Sequence, residues 1–309
     1  MTTRTRTAAA VALGAATALL VAGCGSGAAS APAQQPGSGA KVPIVATTNV
    51  YGAIATAVGG DRVSVRSLID DPAADPHSFE VTPADAADIA DARIVIKNGG
   101  GYDAFADKLT EGGAGERTVI DVVELSGLKP AGGKELNEHM WYSLPTMTKL
   151  AERLAGELSA ADPEGAAAYQ AGAAAFVEKI KGLQQRVTTI KDKHAGERIA
   201  ITEPVPGYLL EAAGLVNATP AEFSEAIEED IDPPAAVLQE MLALFTGTPV
   251  RALILNTQTQ TPTTDQVELA AQTAQVPVVG MSETLPAGQA DYLAWMGGQI
   301  DALAVALNR

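Results

Sequence analysis

Residues 162–196 read DPEGAAAYQAGAAAFVEKIKGLQQRVTTIKDKHAG. Asp162 offers an N-cap, Pro163 fits the first helical turn, and Glu164 lies near the positive end of the dipole. Tyr169, Ala173, Phe176, Ile180, Leu183, Val187 and Ile190 then recur in alternating steps of four and three. This period places one apolar stripe along a single long helix. Lys191, Lys193 and His194 occupy the last turn, and Gly196 follows as a C-cap. His194 is expected to be a surface residue that complements the dipole. About 30 helical residues span roughly 45 Å, long enough to cross two lobes. Gly172 and Gly182 apart, nothing breaks the pattern, so a rigid strut is expected rather than a flexible linker.

On both sides of this helix, strands alternate with helices. Short apolar runs at 42–47, 62–69, 93–97 and 117–122 read as buried strands. Asn98-Gly99-Gly100-Gly101 closes the third as a turn; it has neither the P-loop nor the dinucleotide-binding spacing. Thr82 and Pro83 mark a helix start between the second and third. Met147, Leu150, Ala151, Leu154 and Leu158 outline an amphipathic helix before the long one. Beyond it, further strands are expected at 198–202, 250–255 and 276–281, with helices around 207–214, 233–245 and 263–274. Such alternation predicts α/β architecture: two Rossmann-like lobes with parallel sheets, bridged by one long helix. The lobes are expected at 41–162 and 196–309, with the linking helix at 163–195.

The N-terminus has its own organisation. Arg4 and Arg6 precede an apolar stretch at 8–21, too short for a comfortable membrane span. Val21-Ala22-Gly23-Cys24 follows, containing the only cysteine in the 309 residues. Residues 1–23 read as a signal peptide ending in a lipobox, with Cys24 as the lipidated residue. Residues 24–40 are small, polar and proline-containing, and read as a flexible tether. The formal charge is −16, with no basic stripe, which excludes nucleic acid as a natural partner. An acidic field instead favours the approach of cations.

Four residues stand out as chemistry-bearing. His77 lies in Ala74-Asp75-Pro76-His77, after the second strand. His139 lies in Asn137-Glu138-His139-Met140-Trp141, ahead of the amphipathic helix. Glu203 and Glu283 each follow a strand of the second lobe. The carboxyl ends of strands face the ligand crevice in open α/β sheets. Two imidazoles and two carboxylates form a complete shell for a divalent transition metal. The acidic run Glu228-Glu229-Asp230 with Asp232 lacks EF-hand spacing and reads as a solvated loop. No Gly-x-Ser-x-Gly elbow or free cysteine nucleophile is present to point to covalent catalysis.

The chain resembles the metal-binding lipoproteins of zinc and manganese ABC importers, the cluster A-I (ZnuA/TroA/PsaA-like) solute-binding family. The resemblance runs over nearly all of 41–309 and rests on Gly59-Gly60-Asp61-Arg62-Val63, Asp75-Pro76-His77-Ser78-Phe79-Glu80-Val81-Thr82-Pro83 and Asn98-Gly99-Gly100. It implies His77, His139, Glu203 and Glu283 as metal ligands. Trp141 follows the second histidine, and Gly207-Tyr208 and Gly214-Leu215 follow Glu203, as the family pattern asks. Asn137-Glu138 stands where the family usually has Asp-Pro before the second histidine. The third histidine and His-rich loop of zinc-specific members are absent, so the two-His, two-acid shell is closer to the manganese and iron members.

The resemblance implies a non-enzymatic, monomeric receptor on the extracytoplasmic face of the cell membrane, held there through Cys24. Its ligand would be one Mn²⁺ or Zn²⁺ ion, with Fe²⁺ as a further alternative, passed to an ABC permease and its ATPase. Binding to neutral imidazole would weaken below about pH 6.5. Two other classes are open from the residues alone. A metalloenzyme would need an open coordination position and a general base. A cobalamin or siderophore receptor would want an aromatic-lined cleft, from a chain with 2 Trp, 6 Tyr and 5 Phe.

Overall fold

A computed structural model of the chain describes residues 40–71, 79–111, 117–129 and 136–309. The expected signal peptide, Cys24, all but the last residue of the expected tether, and His77 lie outside the described residues. The first sheet comprises β1 (Val42–Thr48), β2 (Val63–Ile69), β3 (Ile94–Lys97) and β4 (Thr118–Asp121). The second comprises β5 (Arg198–Ile201), β6 (Val216–Asn217), β7 (Leu253–Asn256) and β8 (Val278–Met281). All pairings are parallel, and the orders β2-β1-β3-β4 and β6-β5-β7-β8 are equivalent. Ile94, Val95 and Ile96, like Leu253, Ile254 and Leu255, are buried, as strands covered on both faces require. In each sheet the chain leaves its first strand one way and returns to that strand's other side for the third. The strand order therefore reverses between β1 and β3, and between β5 and β7, where α/β sheets open a ligand crevice.

Helices fill the connections. In the first half these are α1 (Asn49–Gly59), α2 (Pro83–Asp91), α3 (Ala104–Glu111), α4 (Val122–Ser126) and α5 (Leu144–Ala161). Thr82 caps α2 in a capping box: its hydroxyl accepts from Asp85 N at 3.2 Å, and Asp85 accepts from Thr82 N at 2.9 Å. The long α6 (Ala166–His194) follows. In the second half lie α7 (Gly207–Ala212), α8 (Ala221–Glu228), α9 (Ala235–Ala243), α10 (Pro262–Thr273) and α11 (Tyr292–Leu307). Among the described residues, no helix is long and apolar enough to cross a membrane.

The α6 stripe is buried at every expected position from Tyr169 to Ile190. It packs against α1 and α5 on one side and α7 and α11 on the other. One continuous core therefore contains Ile44 and Ile96 of the first sheet, the stripe, and Ile201, Ile254 and Leu303 of the second half. Gly172 is needed where α6 crosses α1, because a Cβ there would stand 2.4 Å from the Val58 carbonyl oxygen. Asp162 caps a 3₁₀ turn, Pro163–Gly165, so the α-helix proper begins at Ala166. The same carboxylate takes Arg62 at 2.9 Å and the Tyr169 hydroxyl at 2.7 Å, tying the start of β2 to the helix entry.

Several expectations are corrected. His194 is buried, with Nδ1 3.2 Å from Glu197 Oε2. The stripe simply continues four residues beyond Ile190, so the last turn still faces the core. The short edge strand β6, α8 and α11 carry no clear periodic signal. Residues of β6 are exposed, α8 is short, and α11 buries Tyr292, Trp295, Met296, Ile300, Leu303 and Leu307 among small residues on most sides.

Candidate metal centre

Glu203 stands two residues past β5, Asn256 ends β7, and Glu283 lies two residues past β8. All three therefore sit at the carboxyl edge of the second sheet. The backbone there is pinned: Asn256 N donates to Thr202 Oγ1 at 3.0 Å, and Gln258 N donates to Asn256 Oδ1 at 3.1 Å. With its oxygen turned to Gln258, the Asn256 amide nitrogen points at the carboxylates. It donates to Glu203 Oε2 at 2.8 Å and to Glu283 Oε1 at 2.9 Å. Thr259 adds a hydroxyl donor to Glu203 Oε1. Gln258 Oε1 accepts from the backbone N–H groups of Glu283 and Thr284 at 2.6 and 2.9 Å. Both carboxylates are almost fully enclosed, at 2 % and 0 % exposure.

His139 comes from the first half, at the entry to a 3₁₀ turn, Met140–Tyr142. Its ring is 0 % exposed and meets Trp141 edge-on at 5.1 Å and Tyr102 at 6.1 Å between ring centres. Asn137 orients it. The Asn137 amide nitrogen donates to the Pro204 carbonyl at 2.8 Å, so its oxygen faces His139. That oxygen accepts from His139 N at 3.0 Å and lies 2.8 Å from Nδ1. An amide oxygen can only accept, so the ring proton sits on Nδ1 and Nε2 presents its lone pair inward. Gly207 leaves room for this amide, since a Cβ there would lie 2.5 Å from Asn137 Nδ2. Asn137→Ala is expected to lower affinity for a bound cation about 10–100-fold by freeing the ring. Titration calorimetry checks this, and unchanged affinity would refute the positioning role.

His139 Nε2 lies 3.9 Å from Glu283 Oε2 and 3.7 Å from Glu228 Oε1. The Tyr102 hydroxyl donates to Glu283 Oε2 at 3.1 Å, linking the turn after β3 to the second sheet. The Asn98 side chain donates to the Glu138 carbonyl at 2.9 Å and accepts from the Tyr51 hydroxyl at 2.5 Å, which fixes the histidine loop to that turn. Asn49 exchanges two hydrogen bonds with the Leu285 backbone, at 2.9 and 3.1 Å, beside Glu283. The crevice is thus walled by both halves of the chain.

Its electrostatics favour positive charge. Burial, reinforced by the carboxylates of Glu138, Glu203 and Glu283, pushes the Glu228 carboxyl up to about 8. Burial and the adjacent Glu283 likewise hold the Tyr102 phenol well above its usual range. Glu228 corrects the reading of 228–232 as a solvated acidic loop. Glu229 and Asp230 are exposed, but Glu228 ends α8 pointing inward, its side chain 21 % exposed.

Three of the four expected site residues, His139, Glu203 and Glu283, are thus brought to one crevice; His77 lies outside the described residues. Among the described residues, no three His, Cys, Asp or Glu side chains converge tightly enough to cage an ion in this arrangement. Asn256, Asn137, Tyr102 and Glu228 join the site unannounced. Asn256 shares with the two glutamates a place at the carboxyl end of a strand, which is the one signal that pointed to it.

A family model described as the zinc-uptake complex component A, periplasmic, matches residues 44–306. The manganese-binding lipoprotein MntA of Halalkalibacterium halodurans is 28 % identical over 224 residues, 66 % of this chain and 72 % of that one. PsaA of Streptococcus pneumoniae, a manganese ABC transporter substrate-binding lipoprotein, is 26 % identical over 195 residues, 59 % of this chain and 62 % of its own. The periplasmic zinc-binding protein TroA of Treponema pallidum shares the fold with a TM-score of 0.74 at 18 % identity, covering 87 % of this chain and 100 % of that one. FpvC of Pseudomonas aeruginosa, solved with Mn²⁺, gives 0.72 at 21 % identity over 87 % and 98 % of the two chains.

Proposed function

The chain belongs to the periplasmic zinc-uptake component A family, and from that premise we propose that it captures one divalent transition-metal ion and delivers it to an ABC permease and its ATPase. Cys24 anchors the mature chain to the outer face of the cell membrane through its acyl chains, and 24–40 tether two lobes, 41–162 and 196–309, joined by the helix at 163–195. The ion is cargo, so the protein needs no turnover chemistry and works as a monomer.

The observation that carries this reading is the pair of buried carboxylates sharing one amide donor, with an imidazole lone pair facing them from the other half of the chain. Two buried acids held side by side are costly unless a cation joins them. His139, Glu203 and Glu283, with His77 as the fourth proposed ligand, make a mixed nitrogen and oxygen set suited to Mn²⁺ or Zn²⁺. The hydrated ion exchanges its waters for these ligands, and the two carboxylates neutralise its charge.

The test is thermal. Protein stripped with chelator should melt about 8–16 °C higher with Mn²⁺ or Zn²⁺ at a thousandfold excess over Kd, from about 4 kcal/mol of linkage and about 2–4 °C per kcal/mol for a chain of this size. Absence of a shift with every divalent ion tried would sink the proposal.

A further inference from the structure

We propose that Glu228 is a further ligand of the captured ion and biases the crevice toward a hard, oxygen-preferring ion such as Mn²⁺ over Zn²⁺. This rests on the reading of the crevice as a metal site.

The placement is specific. Glu228 is the last residue of α8, which is fixed by burial of Phe223, Ser224 and Ile227 on its inner face. Its Oε1 stands 3.7 Å from His139 Nε2, while Glu283 Oε2 stands 3.9 Å from the same nitrogen. Two donors sharing one tetrahedral ion at bonds of about 2.0–2.1 Å lie roughly 3.4 Å apart. Each oxygen thus stands about 0.3–0.5 Å beyond that spacing from the imidazole nitrogen, and the three side chains would have to draw in slightly to share one ion. Neither pair is close enough to be a direct hydrogen bond.

The surroundings offer Glu228 no other purpose for its charge. The groups that face it are Glu138, Glu203, Glu283 and Glu225, all acidic, with His139 as the basic one. Among the described residues, no lysine or arginine stands within ion-pair distance of it. It also sits at the C-terminal end of a helix, where the dipole disfavours an anion. A structural role would be served as well by glutamine or leucine.

The chemical consequence concerns preference. Two histidines with two carboxylates already satisfy Zn²⁺, which is content with four ligands. A third carboxylate adds donors beyond four and shifts the set toward oxygen, which suits Mn²⁺. Glu228 is thus redundant for Zn²⁺ and useful for Mn²⁺.

The experiment compares purified full-length wild type and Glu228→Gln by competition against a metal-chelating dye at pH 7.5, for Mn²⁺ and Zn²⁺ separately. Expected is a loss of about 10–100-fold in Mn²⁺ affinity, with Zn²⁺ affinity changed by less than about threefold. The Mn²⁺ electron paramagnetic resonance spectrum of the loaded protein should change as well, a readout that a purely structural acid would not move. Equal affinities for both ions in variant and wild type, or parallel losses for both, would overturn the inference. Glu228→Asp, which keeps the carboxylate on a shorter stem, serves should the glutamine variant fail to fold, and it should lose Mn²⁺ affinity selectively. Wild type that binds neither ion would mark the failure of the metal-site reading itself, a different result from wild type that binds both and is indifferent to Glu228.

Discussion

Asn256→Asp should destabilise the metal-free protein by about 3–5 kcal/mol, the cost of an uncompensated buried charge. At about 2–4 °C per kcal/mol this is a fall of roughly 6–20 °C in Tm. Asn256 Nδ2 donates to Glu203 Oε2 at 2.8 Å and to Glu283 Oε1 at 2.9 Å, so one amide holds two anions apart and solvates both. Aspartate has nearly the same shape but no donor at that atom. It would set a third carboxylate oxygen against two others inside an enclosed crevice. A divalent cation supplies what the amide did, so Mn²⁺ or Zn²⁺ should recover most of the lost stability. Differential scanning fluorimetry in chelator and in metal at pH 7.5 reads both arms. A variant that melts like wild type in chelator would show that the amide does not clamp the two carboxylates.

Glu283→Gln should lower metal affinity by roughly 100-fold or more while leaving the metal-free fold at least as stable as wild type. The carboxylate is wholly buried and lies closest of all the expected acids to the His139 lone pair. The opposite signs are the diagnostic feature, because a structural residue would lose stability along with affinity. Burial, then the nearby acids including Glu283, raise the Glu228 carboxyl from its ordinary 4.5 to about 8. Between those values the folded protein keeps a proton that the unfolded chain has released. Metal-free stability therefore declines as pH rises through that window and levels off above it. Removing the charge at 283 makes the decline shallower. Denaturant titrations in chelator between pH 5 and 9 measure the slope, and a profile equally steep in the variant would contradict this coupling.

Much of the fold is legible in the sequence because its largest element repeats a simple signal. The apolar positions from Tyr169 to Ile190 keep one face of α6 against both halves of the chain. Buried parallel strands such as Ile94–Lys97 and Leu253–Asn256 show as short apolar runs for the same reason. Periodicity fails where burial is all-round or nearly absent, as in α11 and β6. His194 escaped because a basic residue in a last turn normally faces water, whereas here the stripe carries it inward to Glu197.

The site is legible only in part, and the reason is geometric. Strand ends mark Glu203 and Glu283, and the resemblance of the histidine loop marks His139. The groups that tune these residues act across the fold. Asn137 meets Pro204 across 67 positions and Tyr102 meets Glu283 across 181, separations that carry no local pattern. Glu228 is hidden by its own neighbours, since Glu229 and Asp230 are solvated and only the helix register turns residue 228 inward.

The most direct measurement is the metal content of the purified chain after loading and gel filtration, for wild type and for the His139→Ala/Glu283→Ala double variant. One divalent ion per wild-type chain and none in the double variant is the predicted result. A wild-type chain that retains no ion, or a double variant that still retains one, would contradict the assignment of this crevice as the metal site.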